Sequence, residues 1–257
     1  MRYVFLNCCL IVAFVASVVR ADVTYEKSKV GEDEIEIIRM TVTPAAEPVP
    51  ALRYRLLTRE IDLKNGNAVP YYYRAMLDLP ATMKELRQKY DEDKELGLWY
   101  DVGVDATPIS KLPLEKVRDA SQMFDKIYQR QLRPAFERSD CDWELGMREM
   151  RGPEIVYFEL PEFQSSRELS RMMTIRVRLA IAEHRYEEAI KLMREQYRLG
   201  HDVAKEPFLV CGLIGLAISG VANGTITELI ADPESPNMYW ALTELPRPAI
   251  ELQTAVR

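Results

Sequence analysis

Histidine is nearly missing from this chain, whose 257 residues hold only His184 and His201. A zinc protease needs two histidines four residues apart around a glutamate, and neither residue has that context. One suits a helix turn and the other a helix end, which are structural positions. No CxxC pair and no glycine-rich phosphate loop occurs. Ser219 stands in an apolar run without the GxSxG elbow that would expose a nucleophile. The stretch 91–102 begins like a calcium loop, with Asp91, Asp93 and Glu95, but Leu96 holds the glycine position and Val102 the final carboxylate position. No cofactor and no metal is therefore expected. Basic excess is lacking too: the net charge is −6 and the basic residues alternate with acids, so nucleic acid is excluded as a partner. The 40 acidic residues would offer some plausible carboxylate pair in any fold. They keep one catalytic alternative open, a cell-envelope hydrolase using Asp or Glu residues, for instance on glycans.

Cysteine is scarce as well, four in all. Cys8 and Cys9 lie in a segment with the layout of a secretory signal peptide. Met1 and Arg2 make a positive start, residues 3–19 are mostly apolar, and Val19 and Ala21 stand where a signal peptidase reads small side chains. Cleavage after Ala21 is expected, with export to the periplasm or beyond the cell. The apolar run is short for a span of roughly 20 residues, so no stable membrane span is expected after cleavage. Cys141 and Cys211 remain. They could pair in an oxidising compartment, but two cysteines in a large domain are not a disulfide framework, and two separate buried thiols is the favoured reading.

What is present reads as mainly α. The polar stretch 22–33 is expected to be flexible. Residues 34–43 alternate at period two and predict a strand, and 50–57 a second strand or an extended strap after Pro44, Pro48 and Pro50. Residues 58–257 form a helical domain. Helices are predicted over 67–79 with Asn67 as cap and Pro80 as breaker, then over 82–95. Residues 96–113 read as loop, followed by a helix from Pro113 that Pro134 kinks or ends. Further helices are predicted from 165, from Tyr186 to about Val203, over 208–230 and over 237–244. The stretch 208–230 is the most apolar of these. It carries no charge before Glu228 and is expected to be the central helix, wrapped on every side by its neighbours. Gly220 and Gly224 form a GxxxG, read here as close packing in a soluble core. Trp99, Tyr100, Trp143, Tyr239 and Trp240 are the candidate partner-binding residues, because loop aromatics often anchor partners. Satellite core beneath loops is the favoured reading of such residues.

Residues 179–200, LAIAEHRYEEAIKLMREQYRLG, are similar to the inner part of a tetratricopeptide repeat, with Leu179 and Ala180 on one helix and Tyr186, Ala189, Ile190 and Met193 on the next. His184 stands at the usual turn glycine. The resemblance implies antiparallel helical hairpins that bind a protein or peptide on a concave face. The strings PALRYRLL (50–57), GNAVPYYYRA (66–75), CDW (141–143) and PNMYWALTELPRP (236–248) also resemble an uncharacterised family of exported proteins from planctomycete-type bacteria. That resemblance implies common ancestry and a helical domain that continues past Pro248 in other members, but no activity. The expected function is a non-enzymatic helical module that binds a protein or peptide in the cell envelope.

Overall fold

The computed structural model describes residues 22–30, 33–41, 45–103, 105–145, 161–206 and 208–252. The signal-peptide reading of 1–21, with Cys8 and Cys9, lies outside them. The chain is mainly helical with a small N-terminal antiparallel strand pair. Strand β1 (Asp22–Val30) pairs with β2 (Asp33–Thr41), Asp22 opposite Thr41 and Val30 opposite Asp33. The expected flexible start is thus a strand. Both faces of β1 carry polar side chains, so its pairing partner rather than a clean alternation defines it. Residues 50–57 are a strap of turns rather than a strand, pinned by fully buried Leu56.

Strand β3 (Lys64–Asn67) is parallel to β4 (Arg138–Asp140). Between them runs α1 (Val69–Lys89), with Asn67 Oδ1 accepting from the Val69 N–H at 3.1 Å. Helix α1 passes through Pro80 instead of stopping. Its buried stripe of Tyr72, Ala75, Met76, Leu79, Met83 and Leu86 keeps helical spacing across that residue. Burying those side chains offsets the roughly 3 kcal/mol a helix-interior proline costs. The expected loop after it contains helix α2 (Gly97–Tyr100). Then come α3 (Leu114–Met123), α4 (Asp125–Ile127), a widened turn at Tyr128–Leu132, and α5 (Arg133–Phe136), which ends two residues past Pro134. Helices α6 (Pro161–Ala182), α7 (Tyr186–Ala204), α8 (Leu209–Ala231) and α9 (Tyr239–Thr243) follow among the described residues.

The centre of the molecule is α6. From Leu169 to Ile181 nearly every side chain is buried, and the helix touches α1, α2, α3, α7 and α8. The placement of α8 as a central helix wrapped all round is corrected here. One face of α8, with Cys211, Ile214, Ile218, Ala222 and Ile226, packs on α6 and α7. On the opposite side Leu209, Val210, Leu213 and Leu216 are exposed, Leu213 by 48% against 6% for Ile214 and 2% for Ile218. Among the described residues α8 is the one helix long and apolar enough to cross a membrane, yet half of its most apolar window is buried in protein. The GxxxG divides in two. Val102 packs onto Gly224, whereas Gly220 has open space beside it.

Hydrophobicity ranked α8 above α6 because α6 carries polar residues at its core positions. Gln196 of α7 donates to Thr174 Oγ1 at 2.9 Å and to the Ser170 carbonyl at 3.1 Å. Arg178 is fully buried. Its guanidinium donates to the carbonyls of Leu98, Trp99 and Thr107 and pairs with Glu228 of α8 at 2.9 Å.

The CDW string closes the other end. The Asp202 carbonyl accepts from Trp143 Nε1 at 2.9 Å and from the Cys141 thiol at 3.7 Å. The Asp202 carboxylate accepts from Tyr72 Oη and from Arg198 Nε, both at 2.8 Å. Tyr72 stacks on Trp143, with ring centroids 5.7 Å apart. Burial and the Asp202 charge hold the Tyr72 phenol well above its usual value, so it stays a donor. Tyr72→Phe is expected to cost about 2 kcal/mol, read from the urea midpoint, because a buried carboxylate loses a partner.

Candidate functional site

A groove of about 460 Å³ opens at the turn between α6 and α7. One wall is the turn itself and the first residues of α7, from His184 to Glu188. The facing wall is Tyr54 of the strap together with Glu234 and Pro236 between α8 and α9. Three segments far apart in sequence therefore meet here.

The turn dictates the geometry. The Arg185 N–H donates to the Ala180 carbonyl at 2.8 Å, and the His184 N–H to the Ile181 carbonyl at 2.9 Å. This pair of bonds closes α6 with a left-handed residue just past its end, normally glycine. His184 occupies that place with φ of +55°. A side chain there costs on the order of 1 kcal/mol relative to glycine. The strained backbone brings the imidazole Nδ1 within 2.5 Å of Tyr186 Oη and within 3.6 Å of both Asp232 and Glu234. Burial and the neighbouring carboxylates of Asp232 and Glu234 push the Tyr186 phenol above its usual range, so it stays protonated.

The charges on the rim are unequal. Arg53 pairs with Glu187 at 2.5 Å and lies over the Tyr54 ring, and Arg185 pairs with Glu188 and with Glu183. Glu234 is 75% exposed at its side chain, and among the described residues its ion-pair partner is His184. The lining as a whole holds three glutamates against one arginine. Among the described residues no group of three or more His, Cys, Asp or Glu is arranged to hold a metal ion.

The aromatics divide sharply. Trp99, Tyr100 and Trp143 are buried, so those three are core rather than surface anchors. Trp99 packs edge-on against Tyr90 at 5.1 Å between centroids. Tyr239 and Trp240 are exposed, 60% and 37%, and stand on α9 just beyond Pro236 of the groove wall. Cys141 and Cys211 are both free and buried, and burial raises both thiols, Cys211 to about 12. His201 is half-buried, and burial lowers its imidazole. The groove itself was not read from the sequence. The available signal was His184 at the glycine position of a hairpin turn. Comparison with family models, with curated proteins and with solved structures finds no match to this chain.

Proposed function

We propose that the chain is an exported helical module without enzymatic activity that holds a protein or peptide of the cell envelope, and that the groove at the α6–α7 turn receives a lysine- or arginine-bearing segment of that partner. One observation carries the reading: a histidine, not a glycine, occupies a strained left-handed position, and its ring lines the groove. Strain held at a surface position points to a role other than stability. The surplus of carboxylates supplies charge complementarity for a cationic side chain, and the rings of Tyr54 and Tyr186 supply faces for it.

The test is binding of a fluorescein-labelled lysine-rich peptide, followed by anisotropy at low and high salt. Glu234→Lys reverses an exposed charge without touching the core, so it is expected to weaken binding about tenfold at low salt. His184→Gly is expected to raise the melting temperature by about 2–4 °C, since it relieves on the order of 1 kcal/mol in a domain of this size, while weakening binding. Equal binding by both variants would contradict the proposal. Turnover of a glycan by the purified protein, abolished by Glu234→Gln, would instead support the hydrolase reading.

A further inference from the structure

The exposed face of α8 matches itself. From Leu209 through Thr227 the helix carries no charged residue, in a chain of net charge −6. A two-fold contact sets each surface against a copy of itself, so any net charge within it meets the same charge. A charge-free face is where an acidic chain can meet its own copy without that cost. The face also has relief. Leu213 projects, 48% exposed, and an added Cβ at Gly220 would meet no atom within 4 Å. We propose that α8 pairs antiparallel with α8 of a second copy, across a two-fold axis between Leu216 and Ala217. In that register Leu213 of one copy falls opposite Gly220 of the other, Leu216 opposite Ala217, and Val210 opposite Asn223. Two projecting leucines thereby enter two glycine hollows, the arrangement a self-complementary helix pair needs.

A lipid surface is the less favoured occupant. The exposed stripe carries no lysine or arginine to meet headgroups, and the chain as a whole is acidic. The contact is a single helix face against its copy, so the pair is expected to form at high concentration and to separate on dilution.

The test is sedimentation equilibrium of the full protein, as the cell processes it, over about a hundredfold dilution series. The expected result is a shift from monomer to dimer mass with rising concentration. Leu213→Glu, at an exposed site, is expected to weaken the dimer at least tenfold and leave the melting temperature unchanged. Under mild oxidation Ala217→Cys is expected to cross-link to its own copy. Leu209→Cys is not, because its two copies would stand roughly 22 Å apart along the helices. Three results would overturn the proposal: a monomer throughout the series, a dimer indifferent to Leu213→Glu, or cross-linking at 209 in preference to 217. A fourth is a monomer that pellets with phosphatidylcholine vesicles unless Leu213 is changed to Glu, which would give the face to lipid.

Discussion

Arg178→Met is expected to remove about 3–5 kcal/mol of stability at neutral pH, the largest effect of any single substitution considered. The Trp99 and Thr107 carbonyls would lose their donor, the Leu98 carbonyl would fall back on the Thr107 N–H, and Glu228 would keep a buried charge with no partner. Even with the guanidinium in place, burial raises Glu228 to about 6, against the lowering pull of Arg178. A carboxyl raised in the folded state holds its proton more tightly there than in the unfolded chain. Its penalty is therefore absent at low pH and grows as pH rises from the ordinary value of 4.5 to about 6, reaching about 2 kcal/mol. Removing Arg178 raises Glu228 further, so the deficit of Arg178→Met should shrink as pH falls and be largest at neutral pH. Adding Glu228→Met should restore part of the loss at pH 7, because no charge is then stranded, but not all of it, since the Trp99 and Thr107 carbonyls still lack the guanidinium. Urea unfolding of both single variants and the double variant at acid and neutral pH measures each arm. A double variant no more stable than Arg178→Met would contradict the account.

Gly215→Val is expected to cost about 3 kcal/mol, and Gly220→Ala on the same helix to gain about 0.5–1 kcal/mol. Helices α7 and α8 cross closely at Gly200 and Gly215. A Cβ on Gly200 would lie 2.9 Å from the Gly215 carbonyl, and one on Gly215 would collide with the Gly200 carbonyl and lie 2.8 Å from the Ala204 Cβ. Backbone cannot step aside as a side chain can, so any side chain at Gly215 forces the helices apart along their whole contact. At Gly220 there is nothing to displace, and alanine recovers the helix propensity that glycine forfeits. The same Gly220→Ala variant, more stable as a monomer, should dimerise less well, because it fills the hollow assigned to Leu213 of the second copy. Thermal melts together with sedimentation separate the two effects.

The helical elements from α6 onward were legible because each carries apolar residues at helical spacing, bounded in the sequence by turn-forming residues. The α1 stripe was legible too, yet Pro80 was read as a stop. A local rule was set against a six-residue buried face, and the face prevails. The identity of the central helix was not legible, because hydropathy ranks composition rather than position. Helix α6 hides Arg178, Ser170 and Thr174 among its buried residues, while α8 spends Leu209, Val210, Leu213 and Leu216 on an open surface. Strand β1 escaped because both of its faces are polar. The groove escaped because Tyr54, His184 and Glu234 converge only in three dimensions. Three of the five candidate aromatics, Trp99, Tyr100 and Trp143, lie in the core, since segments that look like loops in the sequence fold back over α1 and α6 as α2 and the CDW segment.

The central structural claim is that α8 is covered on one side by its own chain and open on the other. Cysteine accessibility along the helix tests it most directly, at sub-micromolar concentration where two copies stay apart, and against the buried thiols of Cys141 and Cys211 as an unreactive background. Cysteines at 213 and 216 should react with an aqueous maleimide at nearly the rate of an unfolded control, and cysteines at 214 and 218 should stay protected until denaturant is added. Uniform reactivity at all four positions, or protection of 213 and 216 with exposure of 214 and 218, would contradict the account.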